Sequence, residues 1–465
     1  MFSKAAIFLF VSSIFGQILA GDYINVNVAR TIHLTELQKI RENIGIVIQN
    51  TGEKPANKYY FALDEKKNAS LAYVAVQTKA DKQTLSIARE SFDKKKKLQY
   101  YSVNLPSLRP EGKIVLIFKL IFLRGFEAYP AAISQTQSAA FLFSDNVYFS
   151  SPYPTTSLKT NIKLSSNNVL EYSHEPSPVQ KDKDVISYGP FSDVPAFSHS
   201  EVKVHFPYTK TVLYARTMVR ELEVSHWGNN LAVEENYDVA NHGPELQGSF
   251  SRQIHFALEK YSSGAFVNSF EFELPGKVSD AYFRDEIGNV STSNFRSGMI
   301  QSHLKIEPRF PIYGGWHYNW NHGYNLPLSS SLSILASDPQ KYILRVPLLN
   351  SLPSVPILNF TLKVALPDGA KDVKVTSLPI DGYTLENGIH FTYLDTVGRP
   401  TVTIHKENVI KQHWVDIEIE YTYEPFNLLL KPLGVFCAFM ACFVSSMIVS
   451  RLNMHLGSKK FAKQK

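Results

Sequence analysis

The chain of 465 residues is 44% hydrophobic, 19% charged and 12% aromatic, enough for more than one core and too long for one ordinary domain of roughly 100–200 residues. Its net charge of +6 comes from the two ends, because residues 21–450 carry 42 Lys and Arg against 42 Asp and Glu. A balanced middle gives no support to a nucleic-acid-binding surface, and no nucleic-acid partner is expected.

In chain order, Met1–Ala20 (MFSKAAIFLFVSSIFGQILA) places Lys4 before an apolar run and small residues at its end. This is the layout of a secretory signal cut between Ala20 and Gly21. Beyond it the pattern is short β-type runs, among them Lys113–Arg124 (KIVLIFKLIFLR), Glu201–Tyr214, Tyr342–Leu349, Ile357–Leu366 and Trp414–Tyr423 (WVDIEIEYTY). Alternation and β-branched and aromatic residues read as antiparallel strands with one buried face. The expected fold class is mainly β: two successive luminal β-sandwich-like domains, 21–220 and 221–425, then one C-terminal transmembrane α-helix. Helix is a minority elsewhere, with Thr35–Glu42 and Gln83–Phe92 the best candidates. The polar stretch Glu175–Pro190 has the composition of a linker, and no fixed-period repeat stands out.

Near the end, Leu433–Ser450 is 18 residues without a charge, which at ~1.5 Å each spans ~27 Å of bilayer. With Leu428–Leu430 and a snorkelling Lys431 the span becomes 428–450. The tail 451–465 holds Arg451, Lys459, Lys460, Lys463 and Lys465 and no acid, so the positive-inside rule puts it in the cytosol and the bulk of the chain in the lumen. Both cysteines, Cys437 and Cys442, lie in the span, ~140° apart on a helix. A large ectodomain without a disulfide fits the endoplasmic reticulum (ER) better than the cell surface. Gly434, Ala438, Cys442 and Ser446 form a small-residue stripe that would admit a second helix. Three N-x-[ST] sequons, at Asn68, Asn289 and Asn359, are candidate glycosylation sites on the luminal side.

Catalytic patterns are sought and not found. There is no HExxH, no G-x-S-x-G and no phosphate loop. Asp182-Lys183-Asp184 has the DxD spacing of metal-diphosphate sites but sits in a polar loop. His317 and His322 would need a further ligand to hold zinc. Adjacent acids such as Glu234-Glu235 and Asp285-Glu286 point to opposite faces of a strand and cannot share one substrate bond. No catalytic residue, metal site or cofactor is expected.

Several long strings go further: Arg220–Val239 (RELEVSHWGNNLAVEENYDV), Gly248–Arg252, Tyr282–Ser293 (YFRDEIGNVSTS), Pro308–Leu328 (PRFPIYGGWHYNWNHGYNLPL) and Tyr393–Ile404 (YLDTVGRPTVTI). Together, and in order across the whole chain, they resemble the ribophorin I family, subunit 1 of the ER oligosaccharyltransferase complex. That complex transfers an oligosaccharide from dolichyl diphosphate to Asn in sequons of nascent chains. The resemblance implies a non-catalytic, single-pass type I subunit in the ER membrane. It would hold acceptor polypeptide near the catalytic subunit and support assembly, with other subunits, nascent polypeptide and the translocon as partners. Trp316, Tyr318, Trp320 and Tyr324 form a candidate luminal contact loop. One departure is the ending AKQK, which is not a full dilysine retention signal. The rival readings are a free-standing type I receptor or adhesion protein, and a luminal hydrolase built on Asp285 or Glu286 with His226.

Overall fold

The computed structural model describes residues 23–260, 266–291, 294–349, 352, 355–376, 382–392, 395 and 397–452. The signal segment with its cut at Ala20 and Gly21, and the tail from residue 453, lie outside the described residues.

Period-two alternation builds the first core. In the strand Ile40–Asn50 the even positions turn inward, burying Ile40, Ile44, Ile46 and Ile48 while Arg41 and Asn43 stay in solvent. This strand pairs antiparallel with Tyr23–His33 on one side and Lys113–Phe122 on the other. They centre an eight-stranded sheet in the order Val179–Asp182, Val185–Val194, Thr155–Lys163, Tyr23–His33, Ile40–Asn50, Lys113–Phe122, Leu71–Thr78 and Thr84–Leu85. Its one parallel pair is Tyr23–His33 with Thr155–Lys163. Two smaller sheets share the core. One has four strands, Glu171–Tyr172, Glu201–Pro207, Ala140–Asn146 and Phe126–Ala128; the other has three, Ala56–Asp64, Leu98–Leu108 and Ile87–Asp93.

The second half repeats this plan. Its eight-stranded sheet runs Thr384–His390, Arg399–Val409, Ile357–Ala365, Leu213–Ser225, Asn230–Asn241, His317–Pro327, Ser279–Asp285 and Gly288–Asn289, again with a parallel pair, Leu213–Ser225 with Ile357–Ala365. A four-stranded sheet (Lys371–Val375, Asp416–Thr422, Asp338–Pro347, Leu332–Leu335) and a three-stranded one (Phe270–Pro275, Gln301–Ile306, Asn294–Arg296) complete it. Taken in chain order, the strands of both halves enter their three sheets in the same sequence. Local devices recur too. The first strand is bulged at Asn25/Asn27 in one half and at Ala215/Thr217 in the other. Buried Asn50 and Asn241 each close the second strand. Each accepts a backbone N–H on Oδ1, from Gly52 at 2.9 Å and Gly243 at 3.0 Å, and each donates Nδ2 to a distant carbonyl. The chain is an internal duplication that no fixed period in the sequence reveals.

Neither expected helix forms. Ile40 opens a strand, and Ile87–Asp93 pairs with Leu98–Leu108 across a turn of four lysines, Lys94–Lys97. Burial alternation and hairpin closure outweigh the weak helical spacing there. The helices are instead α1 (Glu65–Ser70), α2 (Arg252–Lys260) and the apolar α3 (Asn427–Arg451). The linker-like stretch is an edge hairpin of Val179–Asp182 and Val185–Val194, and Asp182-Lys183-Asp184 is its turn. Residue 220 lies mid-strand, and Leu213, Ala215, Met218 and Leu222 of that strand all pack in the second core.

The halves are joined by side chains and backbone alike. Ala132–Ile133 pairs with Glu245–Leu246, Tyr214 Oη accepts from the Arg124 N–H at 3.2 Å, and Asn408 Nδ2 donates to Ala69 O at 3.0 Å. Leu358 and Ile410 of the second half complete the first core. These contacts lie where the strand Leu213–Ser225 begins. Its 13 residues, at ~3.3 Å each, carry the chain ~43 Å to the opposite end, where α3 starts. The first half therefore stands off from α3 by the length of the second.

Candidate functional site

Two buried positions of the first sheet are charged, Arg30 and Glu42, and they mark a buried ion cluster. Arg30 Nε donates to Glu42 Oε1 at 2.6 Å, its Nη2 to Asp145 Oδ2 at 2.6 Å, and its Nη1 to Asn146 O at 2.5 Å. Lys67 on α1 closes the ring, 3.2 Å from Glu42 and 2.8 Å from Asp145. Helix α1 is capped by Asp64, which takes the Lys67 N–H at 2.7 Å, so the cap fixes the residue that reaches the cluster. Burial pushes the Glu42 carboxyl up, but the charges and hydrogen bonds of Arg30 and Lys67 outweigh it and hold it at about 2. Two cations against two carboxylates leave the cluster neutral and satisfied.

Above this floor opens a cavity of about 890 Å³, within the ~300–1,000 Å³ range of small-ligand clefts. Its walls are apolar and aromatic, among them Leu63, Leu120, Phe122, Phe143, Phe149 and Phe197, and Lys66, Lys96 and Arg124 add cations to the lining. Lys96 lies 4.1 Å over the Phe197 ring, so one lysine of the run Lys94–Lys97 faces a built site.

The second half arranges its buried pair differently. Arg220 keeps the place of Arg30, but its carboxylate, Glu235, stands directly opposite it in register rather than two residues along. Arg220 bonds Glu235, which also takes the Tyr237 hydroxyl at 3.0 Å and lies 3.4 Å from His322. Tyr237, Trp320 and Phe270 stack beside this pair, toward the Asn241 end of the strand (ring centroids 4.9 Å apart in both pairs).

The aromatic segment expected as a contact loop is a strand instead. In His317–Pro327, Tyr318, Trp320 and Tyr324 point inward with exposures of 5%, 3% and 2%, and half-buried Trp316 packs beside Tyr313. With Tyr318, Trp320, His322, Tyr324 and Leu326 turned inward on alternate positions, the segment is part of the core. His317 is exposed and His322 buried, on opposite faces, so the two do not converge. Asp285 pairs with Trp320, and His226 lies beyond Asn230, which pairs with Pro327. Seven residues of strand, ~23 Å, separate them, so no shared site joins Asp285 to His226. Glu234 and Glu235 do face opposite ways, one toward the Tyr282 hydroxyl and one toward Arg220.

Of the sequons, Asn289 is exposed on a hairpin, Asn359 is exposed on the outer face of a central strand, and Asn68 is half-buried on α1 with its Oδ1 taking the Tyr101 hydroxyl at 2.7 Å. Gly434, Ala438, Cys442 and Ser446 lie on α3, which is bare from Pro432 onward.

Two histidines give the fold an acid limit. Burial lowers His226 to about 4 where it stacks on Tyr423, and burial with the Lys406 charge lowers His413 to about 4 beside Tyr73. Because the unfolded chain binds these protons near 6.5, their contribution is complete above pH 6.5 and lost as pH falls toward 4. Glu42 works the same way lower down, complete above pH 4.5 and lost toward 2. Thermal unfolding scanned from pH 7 to 3 is expected to show the midpoint falling in two stages, with His226→Phe removing part of the first.

Comparison with known proteins follows from this geometry. The family profile described as ribophorin I matches residues 23–450. The chain is 31% identical over 451 residues to dolichyl-diphosphooligosaccharide–protein glycosyltransferase subunit 1B of Arabidopsis thaliana, covering 95% of each chain. It is 31% identical over 454 residues to subunit 1 of Caenorhabditis elegans, covering 97% of this chain and 76% of that one. Among solved structures, a yeast LTA4 hydrolase with bestatin matches at 9% identity and TM-score 0.28, over 43% of this chain and 31% of its own. A Deinococcus radiodurans M1 zinc metallopeptidase matches at 14% and 0.25, over 45% and 42%. Likeness that slight carries no argument about activity.

Proposed function

The chain belongs to the ribophorin I family, and from that premise we propose that it works as a subunit of the oligosaccharyltransferase complex in protein N-glycosylation. The observation that carries this is the continuous match over residues 23–450 to a family whose curated relatives are named as subunit 1 of that enzyme. The subunit is single-pass, with both β domains in the ER lumen and α3 in the membrane beside other subunits. Asn68, Asn289 and Asn359 are its own glycan acceptors. The free-standing receptor has no comparable support.

Its role is to handle acceptor polypeptide rather than to perform transfer. Supporting this, the most buried acids, Glu42 and Glu235, are both paired with arginine and held below the usual carboxylate range, so neither lends or takes a proton near neutrality. The cavity supports the other half of the proposal. Apolar walls receive hydrophobic side chains of an unfolded chain, and charges of both signs line the same space. Its place in the distal domain lets a chain be held while a sequon reaches back toward the membrane.

The test is transfer to a sequon peptide and to full-length nascent acceptors, by the purified chain, by the complex, and by the complex depleted of this chain. The expected result is no transfer by the chain alone, and depletion lowering some full-length acceptors several-fold more than the short peptide. Transfer by the chain alone would overturn the accessory role.

A further inference from the structure

The end of the second domain from which α3 emerges carries apolar groups that no described residue covers. Strand register shows which loops share that end. Ser225 leads into the turn before Asn230. Ala365 is level with Glu223 and Thr401, and Arg399 pairs with His390. Thr422, the last residue before the run into α3, pairs with both Lys341 and Lys371. The turn 226–229 and residues 390–392, 395, 397 and 398 therefore lie at the same end as the entry to α3. Their tips are Trp227, 79% exposed, Phe391, 63%, and Val397, 66%, with Ile389 at 66% on the adjoining edge strand.

The depth of this rim is set by the helix. Asn427 Nδ2 donates to Gly369 O at 3.3 Å, and Lys371 meets Glu424 at 3.1 Å, so α3 is fastened to the domain at its first turn. Gly369 has φ +84, and a Cβ there would lie 2.8 Å from Asn427 Nδ2, so a side chain at 369 would disturb the joint. Lys431 Nζ lies 2.5 Å from Asp395 Oδ1, whose carboxylate is fully enclosed. With the hydrocarbon beginning at Leu433, Lys431 stands two residues outside it, ~3 Å at 1.5 Å per residue. That is inside the ~5–8 Å headgroup layer on each side of a bilayer. Asp395 is at the same depth, and Phe391 and Val397 flank it in sequence. His226 stacks on Tyr423, centroids 4.6 Å apart, which sets the turn that carries Trp227 beside the run into α3.

We propose that this rim, Trp227, Ile389, Phe391 and Val397, is a membrane-docking surface that inserts into the headgroup and upper acyl region of the luminal leaflet. The occupant is lipid because α3, held at that end, must itself be in the bilayer for the chain to be membrane-spanning, so the leaflet is already against the rim. Trp and Phe are suited to that layer, Trp with an apolar ring and one N–H to give to headgroups. Docking at a fastened joint fixes the tilt of the second domain and therefore holds the first domain, with its cavity, at a set height above the membrane. The inference rests on α3 as a membrane span.

The test places the full chain, within its complex and alone, in phosphatidylcholine nanodiscs containing a diazirine lipid, and maps adducts by mass spectrometry. The expected result is adducts on α3 and, in both samples, several-fold more on peptides containing Trp227 and 389–397 than on the distal turn at Asp182–Lys183. Quenching of Trp227 emission by brominated lipid, read as the difference from Trp227→Phe, gives the same answer without a folding risk. Adducts on α3 with none on the rim and no Trp227 quenching would overturn the docking surface while leaving the span intact. Cross-links from the rim to another subunit in place of lipid would overturn it as well, assigning the surface to a protein. Adducts on neither would remove the span and the rim with it.

Discussion

Arg220→Met is expected to destabilise the second domain by about 3–5 kcal/mol, the cost of leaving a buried carboxylate without its cation. Glu235 is fully enclosed, and what remains beside it is the Tyr237 hydroxyl and His322. The pairing of Arg220→Met with Glu235→Leu is expected to regain most of that loss, since a buried ion pair replaced as a unit by apolar groups of similar volume is often near neutral. Arg30→Met should cost less than Arg220→Met, because Lys67 still pairs with both Glu42 and Asp145 and the net charge left behind keeps a cation beside it. Equilibrium unfolding of the full chain in mild detergent, followed by tryptophan emission, measures all three variants against the parent chain. A loss under about 1 kcal/mol for Arg220→Met would show that the pair is not the isolated buried charge pair described.

Filling the distal cavity is expected to lower acceptor handling several-fold without changing assembly. Ser144 and Ser150 line it and are half-buried, so Ser144→Trp or Ser150→Trp projects an indole into the space above the ion cluster. Photo-cross-links between a nascent acceptor and a probe at Lys96 should fall, and glycosylation of the most dependent acceptors should fall with them. A short sequon peptide should be transferred as before, because it does not need to be held. Unchanged cross-linking with the cavity filled would place acceptor binding elsewhere on the subunit.

Much of this architecture was legible in the sequence, and the reasons differ by feature. The β class followed from alternation in segments such as Trp414–Tyr423, and a helix at residues 428–450 from the uncharged run Leu433–Ser450 extended past Lys431, which α3, Asn427–Arg451, matches within a residue. The duplication was not legible, because a sandwich constrains only which face each residue turns to. Val, Ile, Leu and Phe satisfy that constraint interchangeably, so two halves can share every strand and keep few identities. The polar exceptions carry the trace: Asn50-x-Gly52 and Asn241-x-Gly243, and Arg30 and Arg220 on the first strand of each half. A charged residue at an inward position of an alternating strand, as at Arg30 and Glu42, was the available signal for the cavity floor.

The aromatic string Trp316–Tyr324 was misplaced for a related reason. Asn and His between the aromatics gave it the composition of a loop, yet its aromatics fall on alternate positions, and a strand with one buried face has that period. The weak helix at Gln83–Phe92 failed because the lysine turn after Asp93 returns the chain onto Leu98–Leu108, a tertiary closure that local spacing does not record.

The central claim, membership of the glycosylation complex, is tested most directly by purifying the tagged full chain from ER membranes in mild detergent. The co-purifying chains are identified and quantified, and the eluate is assayed for sequon glycosylation. The account predicts stoichiometric recovery of a many-helix catalytic subunit together with transfer activity. Recovery of this chain alone, inactive and able to reach the cell surface, would contradict it and return the β domains to the receptor reading.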